Sequence, residues 1–549
     1  MIPRVRSAVV LGAGTMGAQI ACLLAGAGVP VRLLDLDVSV AAAGLARATK
    51  LRPSPTYRAE DVERIRPGGF DDLESWLAGA DWVVEAIVEQ IEPKRALFER
   101  IDAALARLPD EAAVPLVSSN TSGISIARMA EGRSERFRRA FLGTHFFNPP
   151  RYARLLELIP TADTASDRVV WIEDVGSRLL GKGTIRAKDR PAFVANRLGV
   201  HGLLTALHLA GETGLGVDEV DDLTGPLVGR PKSAIFRTLD LVGLDVAVAV
   251  ADHCHEDLVD DPERERFAVP PVLRRLVEEG RLGEKAGVGF YRKEDGEILA
   301  LDLETLDYRP RRRVSSPAVE LARTETDLPR RMSALADAAQ RSPEDPAITF
   351  LWRLVASELA YAAAVGPEVA DDAESVDRAM RWGFGWELGP FEAWDSLGLD
   401  RVAERLPAAG VAIPPLVEAV VAGPGRFHDD GRALDFASLE LRPVAPRAGT
   451  LDLDARKQAA VDLRGNASAT LVDLGDGILG CELHGKLNII GIDTLDLVMR
   501  GVEIATARFD GYVVGTRQPD FSAGANLALM LLEAEEGEWH ELDRGIRRF

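Results

Sequence analysis

The sequence has few cysteines, no long apolar run and a shortage of positive charge. Its three cysteines, Cys22, Cys254 and Cys481, are widely scattered, which excludes a disulfide framework and any metal-ligand spacing. We therefore predict a reducing, cytoplasmic location and no metal site. No run approaches the ~20 apolar residues of a membrane span, and the first strand begins too early to leave room for a signal peptide.

The formal net charge of −21 argues against nucleic acid or an anionic membrane as a partner of the bulk surface. An anionic substrate would therefore need a local group of cations. The chain has an ordinary globular composition, but its 549 residues are too many for one core. We expect several domains.

Residues 8–17 form the most informative segment. Four apolar residues, Ala8 to Leu11, lead into a Gly-x-Gly-x-x-Gly turn, and a helical pattern follows. This order is typical of dinucleotide-binding domains, because the backbone approaches the pyrophosphate at the turn and the helix end carries partial positive charge. The predicted cofactor contacts in this turn are Gly12, Gly14, Thr15, Met16 and Gly17.

A second apolar run, Val31 to Leu34, ends at Asp35, which lies 21 residues after Gly14. A carboxylate at this position accepts hydrogen bonds from the adenine ribose hydroxyls and repels a 2′-phosphate. The alternative is a solvated acid in a loop at a strand end. The turn and the acid together favour NAD as the cofactor rather than NADP.

The patterning divides the chain into five parts. First come alternating strands and helices, which predict an α/β domain of the Rossmann type with a mostly parallel, doubly wound sheet. Two all-α segments follow, separated by a stretch of mixed charge and several arginines that we interpret as an extended, solvated linker. The last part returns to an α/β pattern. The predicted boundaries are 1–188, 189–297, 298–345, 346–445 and 446–549.

The two helical segments contain an internal repeat. Val220-Asp221 with Gly229 recurs as Val376-Asp377 with Gly385 at an offset of 156 residues. A second shared pattern, Asp-x-x-Gly-Leu-Asp, begins at 240 and again at 395. We interpret these segments as two copies of one helical unit that pack on each other.

Three polar clusters of the first domain lie at or next to the ends of apolar runs, where an open parallel sheet binds its ligands. They contain Ser122, His145 and Glu157, and Asn196 follows at the start of the helical part. A histidine suits proton removal from an alcohol near neutral pH, and a carboxylate on its other nitrogen fixes the tautomer. Ser122 and Asn196 would hold the substrate oxygen. Each residue alone has a structural alternative, such as a helix cap for Ser122.

The strings LGAGTMGAQIA, VVEAIVE, SNTSGISI, GTHFFNPP and DRPAFVANRLG resemble the L-3-hydroxyacyl-CoA dehydrogenase family of fatty-acid β-oxidation. The resemblance implies that His145 is the base, Glu157 its partner, and Ser122 and Asn196 contacts to the substrate oxygen. In this family the helical domain closes over the acyl-CoA and commonly dimerises, so a homodimer is expected. The cofactor contacts implied beyond the glycine turn are Asp35, Glu89, Lys94 and Asn120.

A duplicated helical domain followed by a last segment with the loop Phe521 to Leu527 resembles bacterial multifunctional β-oxidation proteins that end in an enoyl-CoA hydratase, or crotonase, domain. By that match the N–H of Ala525 would be one oxyanion donor. The chain stops 24 residues later, before the family's second donor and its catalytic glutamates. We expect an incomplete crotonase-like segment, exposed apolar surface and no hydratase activity.

The phosphates of CoA need cations, which Lys50, Arg52 and Arg58 would supply. A solvated basic loop is an equal alternative for these residues. Two other functions compete with an acyl-CoA dehydrogenase. One is an NAD-dependent dehydrogenase of a free hydroxy acid, and the other is a non-catalytic, NAD-binding structural relative.

Overall fold

The computed structural model describes residues 4–109, 112–445, 450–459, 463 and 465–548. The chain divides into two compact units, Met1–Ala448 and Gly449–Phe549, which we describe separately as unit one and unit two. The expected start of the last segment, residue 446, lies outside the described residues. The other domain boundaries stay predictions.

Unit one begins with an eight-stranded sheet in the order β3-β2-β1-β4-β5-β6-β7-β8. All neighbouring strands are parallel except β6 and β7, which are antiparallel. The strands are β1 (Ala8–Leu11), β2 (Val31–Asp35), β3 (Ile65–Gly69), β4 (Trp82–Glu85), β5 (Leu116–Ser119), β6 (Phe141–Phe146), β7 (Leu155–Pro160) and β8 (Gly183–Arg186).

Helices separate most of these strands, as the sequence pattern predicts for a doubly wound domain. The central strands are buried along their whole length, because helices cover both faces of such a sheet. The edge strands β3 and β8 were not predicted, since neither contains an apolar run. The helices are α1 (Thr15–Gly26), α2 (Val38–Ala48), α3 (Leu73–Leu77), α4 (Ile91–Leu105), α5 (Ile126–Ala130), α6 (Glu135–Arg139) and α7 (Ser166–Asp174).

The first helical copy contains five helices followed by a three-stranded antiparallel sheet. The apolar segment from Leu239 to Cys254 belongs to two helices rather than one, because Gly243 between them adopts a positive φ of 102°. The elements are α8 (Ala195–Thr213), α9 (Val217–Thr224), α10 (Phe236–Val242), α11 (Leu244–Asp257), α12 (Pro271–Glu278), β9 (Tyr291–Glu294), β10 (Glu297–Leu301) and β11 (Tyr308–Pro310).

The prediction of an extended linker over 298–345 was wrong. This stretch contributes two strands to the small sheet and then forms the helices α13 (Pro317–Arg323) and α14 (Leu328–Arg341). The guanidinium of Arg309 is not solvated either, since its two terminal nitrogens each lie 2.9 Å from an oxygen of buried Asp218. Long-range ion pairing therefore orders a segment whose local pattern is polar.

The predicted duplication is confirmed, because the second copy repeats five helices and a small antiparallel sheet. In each copy an aspartate, Asp240 or Asp395, accepts hydrogen bonds from two successive backbone N–H groups where the small sheet begins. The elements are α15 (Pro346–Val369), α16 (Ala373–Gly383), α17 (Pro390–Leu397), α18 (Leu399–Arg405), α19 (Pro415–Ala422), β12 (His428–Asp429), β13 (Arg432–Asp435) and β14 (Glu440–Pro443).

Helix α15 is long and apolar enough to span a membrane by length and composition, in contrast to the prediction that no such run is present. Its 24 residues include an apolar window that is 83% buried inside the protein. The helix packs against α8 of the first copy and α17 of its own copy. Its apolar composition is explained by its position in the core of unit one.

Unit two contains a three-stranded sheet in which β15 and β16 form a hairpin and β17 adds in parallel to β16. The elements are α20 (Leu453–Ala459), β15 (Ala469–Gly475), β16 (Ile478–Leu483), α21 (Ile492–Arg508), β17 (Gly511–Thr516), α22 (Leu527–Glu535) and α23 (Trp539–Arg548). Helix α22 exposes several leucines, as expected.

Candidate active site

The glycine turn joins β1 to the N-terminus of α1, and each glycine meets a different requirement. A Cβ at Gly12, which has a φ of +99°, would collide with the carbonyl of Ala86. A Cβ at Gly17 would collide with the carbonyl of Gly12. At Gly14 a Cβ would meet no atom within 4 Å, so the backbone there borders open space. The turn is therefore closed on its protein side and accessible to a phosphate group.

Asp35 lies at the end of β2, beside the glycine turn. One of its oxygens accepts a hydrogen bond from the N–H of Ala13 at 2.6 Å, and the other from the N–H of Leu36 at 2.7 Å. Each carboxylate oxygen keeps a second acceptor position for a ribose hydroxyl. The residues Gly12, Gly14, Thr15, Met16 and Asp35 line one cavity, which we call the cofactor cavity.

His145 and Glu157 are cross-strand neighbours on β6 and β7. Nδ1 of His145 lies 2.7 Å from Oε2 of Glu157, and both side chains are buried. Because a carboxylate only accepts hydrogen bonds, this contact places the ring proton on Nδ1 and leaves Nε2 as the acceptor. The antiparallel pairing of the two strands thus produces the histidine–carboxylate pair that the sequence suggested.

The N-terminus of α8 fixes the second carboxylate oxygen of Glu157. Oε1 of Glu157 accepts hydrogen bonds from the N–H groups of Val194 at 3.2 Å and Ala195 at 2.9 Å. Before this turn, Ala192 and Phe193 have positive φ values of 60° and 50°, a costly conformation for residues with a side chain. The turn also packs the ring of Phe193 5.7 Å from the ring of His145.

A chain of ion pairs and hydrogen bonds supports the loop that follows β5. Nζ of Lys94 lies 2.6 Å from Glu85 and 3.2 Å from Glu89. Glu89 in turn accepts hydrogen bonds from the hydroxyl of Thr121 at 2.6 Å and the N–H of Ser122 at 2.7 Å. Burial would raise the pKa of Glu89, but the charge of Lys94 and these hydrogen bonds outweigh it, so the pKa lies below its usual value.

Lys94 does not lie where it would contact the cofactor directly. Its side chain is 1% exposed and its ammonium is occupied by two carboxylates. Lys94 is therefore linked to Ser122 through Glu89, which accepts a hydrogen bond from the N–H of Ser122. The sequence reasoning missed Glu85, although an acid at the end of a buried strand was the available signal.

Ser122 lines a second cavity, between the loop after β5 and helix α11, which we call the substrate cleft after its proposed role. The loop reaches the α8 turn, since a Cβ at Gly123 would lie 3.2 Å from the backbone nitrogen of Ala192. Asn196 is half-buried in the first turn of α8. Asn120 is buried and accepts a hydrogen bond from the N–H of Phe146 at 2.9 Å, next to His145.

The predicted phosphate-binding cations lie in an exposed loop after α2. Lys50, Arg52 and Arg58 line neither the cofactor cavity nor the substrate cleft. Arg151, which follows the strand of His145, holds this loop by donating hydrogen bonds to the carbonyls of Ser54 at 2.8 Å and Thr56 at 2.7 Å. A role of the loop in CoA binding stays a prediction.

Ala525 lies in unit two, in the loop before α22. The loop is fixed by hydrogen bonds from the hydroxyl of Ser522 to the carbonyl of Asn488 at 2.6 Å and from the N–H of Ile490 to the carbonyl of Gly524 at 2.9 Å. Among the described residues, the N–H of Ala525 has no hydrogen-bond acceptor. Its role as an oxyanion donor stays a prediction.

Two family models match the chain. The model described as "3-hydroxyacyl-CoA dehydrogenase, NAD binding domain" matches residues 7–190. The model described as "3-hydroxyacyl-CoA dehydrogenase, C-terminal domain" matches residues 193–293. Both matches lie in the parts of unit one that contain the cofactor cavity, the histidine–carboxylate pair and the substrate cleft.

The similar proteins agree with these matches. A protein of Bacillus subtilis named "Probable 3-hydroxyacyl-CoA dehydrogenase" is 40% identical, with 100% of this chain and 71% of that protein covered. A Rickettsia felis protein named "Putative fatty acid oxidation complex trifunctional enzyme" is 25% identical, with 99% and 72% covered. A solved 3-hydroxybutyryl-CoA dehydrogenase of Escherichia coli has the same fold, with a TM-score of 0.54 at 23% identity over 74% of this chain and 94% of that one.

The chain therefore belongs to the 3-hydroxyacyl-CoA dehydrogenase family.

Proposed function

We propose that the chain catalyses the NAD-dependent oxidation of an L-3-hydroxyacyl-CoA to the 3-oxoacyl-CoA in fatty-acid oxidation. The observation that carries this proposal is the buried His145–Glu157 pair, held at 2.7 Å in the same domain as a glycine turn open to a dinucleotide. A pair of this kind suits removal of a hydroxyl proton.

The residues present fit the cofactor. The open backbone at Gly14 and the N-terminus of α1 suit the pyrophosphate, and Asp35 suits the ribose hydroxyls. When bound, NAD supplies the acceptor for the hydride that leaves C3 of the substrate. The cofactor cavity also contains Phe70 and Leu97, which give it an apolar wall for a ring.

The protein's own groups account for the proton. His145 accepts the hydroxyl proton at Nε2, because Nδ1–H is donated to Glu157. Glu157 stabilises the positive charge that then forms on the ring, and its two hydrogen bonds from α8 prevent it from turning away. Ser122 and Asn196 are the proposed donors to the substrate oxygen.

The substrate cleft is suited to the acyl or pantetheine part of a thioester. Its walls contain apolar side chains of α11 and of the loops on either side, including Ile124, Val246, Ala249 and Val250. Binding energy from such remote contacts can be used at the reacting centre. A free hydroxy acid would leave this cleft without a ligand.

Comparing acetoacetyl-CoA with free acetoacetate in NADH consumption tests the proposal. We expect kcat/KM to be about 10²-fold or more higher for the thioester, because only the thioester fills the cleft. Equal rates would favour a dehydrogenase of free hydroxy acids. Binding of NADH without consumption of either compound would favour a non-catalytic relative.

A further inference from the structure

A large charged cleft lies in the first helical copy. Its volume of about 840 Å³ is typical of a ligand pocket, and eight cationic and five acidic side chains line it. Helices α9 and α10, strand β9 and the segment between β11 and α13 form its walls. It shares no residue with the cofactor cavity or the substrate cleft. We call it the basic cleft.

Ion pairing inside the basic cleft leaves an excess of cations. Four of its five acids pair with arginines: Asp218 with Arg309, Asp222 and Glu320 with Arg323, and Glu284 with Arg237. The fifth, Asp221, accepts hydrogen bonds from three backbone N–H groups and a tyrosine hydroxyl. Five cations make no ion pair with a carboxylate in the described part of the chain: Lys232, Lys293, Arg311, Arg312 and Arg313.

The second helical copy shows that the fold does not require cations at three of the positions that line the basic cleft. The framework around the cleft is the same in both copies, since Asp377 receives backbone hydrogen bonds as Asp221 does, and Asp395 as Asp240 does. At these three positions the second copy has acidic residues. Arg237, Arg292 and Lys293 of the first copy correspond to Glu392, Asp429 and Asp430 of the second.

The fold positions the segment that contains Arg311, Arg312 and Arg313. The Arg309–Asp218 pair precedes it, and the backbone N–H of Arg312 also donates to Asp218. The segment is therefore anchored while the side chains of Arg311, Arg312 and Arg313 stay exposed. Like charges held together without partners raise the energy of the free protein, and a bound anion relieves that repulsion.

We propose that the basic cleft binds a small molecule with two or more phosphate groups. Guanidinium groups suit phosphate oxygens, because their planar N–H donors can bind them in pairs. Two or more phosphate groups are present in the nucleotide end of CoA, in free nucleoside diphosphates and triphosphates, and in pyrophosphate. The proposal does not depend on the dehydrogenase assignment.

Calorimetric titration of the full chain at about 0.15 M salt, where distant surface charges are screened, tests the proposal with pyrophosphate, CoA and dephospho-CoA as probes. The test variant is Arg311→Ser/Arg312→Ser/Arg313→Ser. A second variant, Lys232→Glu/Lys293→Glu, avoids the arginine segment. The control is Arg47→Ser/Arg66→Ser/Arg128→Ser, which removes the same charge from exposed sites elsewhere.

We expect pyrophosphate to bind one site, and both test variants to weaken that binding at least about 10-fold while the control leaves it unchanged. If the unmodified chain and the control bind one more CoA molecule than the test variants do, the ligand of the basic cleft is the nucleotide end of CoA. The titration with dephospho-CoA then shows whether the 3′-phosphate is needed for this binding. If the test variants lose pyrophosphate binding but bind CoA as the unmodified chain does, the ligand is a free nucleotide or pyrophosphate. No pyrophosphate binding to the unmodified chain, or equal loss in the control, would overturn the proposal.

Discussion

Nδ1 of His145 and Oε2 of Glu157 are 2.7 Å apart because the antiparallel pairing of β6 with β7 places the two residues directly opposite each other. The second oxygen of Glu157 receives two backbone N–H groups from the start of α8. Two strands and a helix therefore determine the orientation of one imidazole.

Glu157→Gln tests the partner of the histidine. The amide removes the negative charge and can donate to Nδ1, which would move the ring proton to Nε2. We expect kcat to fall about 10²–10⁴-fold with little change in NAD affinity. Steady-state kinetics and NADH fluorescence titration measure the two effects. Glu131→Gln, which removes an exposed charge, is the control, and a similar loss of kcat in both variants would contradict the role of Glu157.

Asp35→Ser tests the choice of cofactor. Without the carboxylate, the ribose hydroxyls lose an acceptor and a 2′-phosphate is no longer repelled. We expect the ratio of kcat/KM for NAD over NADP to fall at least about 10-fold. Asp37→Ser is a matched control, because Asp37 carries the same charge but caps α2 through the N–H groups of Ser39 and Val40. An equal change in the control would assign the effect to general charge.

Ala249→Phe tests the substrate cleft. Ala249 lines the cleft from α11, so a ring there would occupy space that a longer substrate needs. We expect kcat/KM to fall about 10-fold or more for a long-chain 3-hydroxyacyl-CoA and to change little for the four-carbon substrate. The short substrate is the internal control. Equal loss for both would mean that the cleft does not contain the acyl chain.

His428→Gln tests a charge cluster of the second copy. The imidazole lies 3.4 Å from Asp377 and Asp395 and 3.6 Å from Glu374. Burial alone would lower the pKa of His428, but these carboxylates raise it to about 10. A raised pKa stabilises the fold below the ordinary pKa of histidine, about 6.5, and this contribution is lost as the pH rises through about 10.

At pH 7 we expect His428→Gln to lower the free energy of unfolding by about 3 kcal/mol, because buried Asp377 loses its cation. Burial also raises the pKa of Asp377. Ionisation of this carboxyl group therefore lowers the free energy of unfolding as the pH rises, as the loss of the proton from His428 does. Scanning calorimetry at pH 7 and above pH 10 measures the difference in Tm. The gap between the two proteins should close at the higher pH, and a constant gap would show that the charge of His428 is unimportant.

The sequence predicted the elements whose local pattern is strong. Buried strands such as β1 and β4 are continuous apolar runs, and the repeat between the helical copies was visible because acids and glycines recur at fixed spacing. The small sheets and the helices over 317–341 were missed. Their order depends on long-range contacts such as Arg309 with Asp218, which no local pattern contains.

The candidate site was predictable to a similar extent. The chemistry of proton removal suggested a carboxylate for His145, and strand register then supplied the contact. Sequence reasoning could not show that Lys94 is buried between Glu85 and Glu89, since that depends on how α4 packs against the sheet. The left-handed turn at Ala192 and Phe193 was equally invisible, because neither residue type favours it.

The most direct measurement is the turnover of His145→Gln with an L-3-hydroxyacyl-CoA and NAD. If His145 accepts the hydroxyl proton, kcat falls about 10²–10⁴-fold while the affinity for NAD and the Tm stay close to those of the unmodified chain. Turnover at the unmodified rate would contradict this mechanism, because it would show that a group other than His145 accepts the proton.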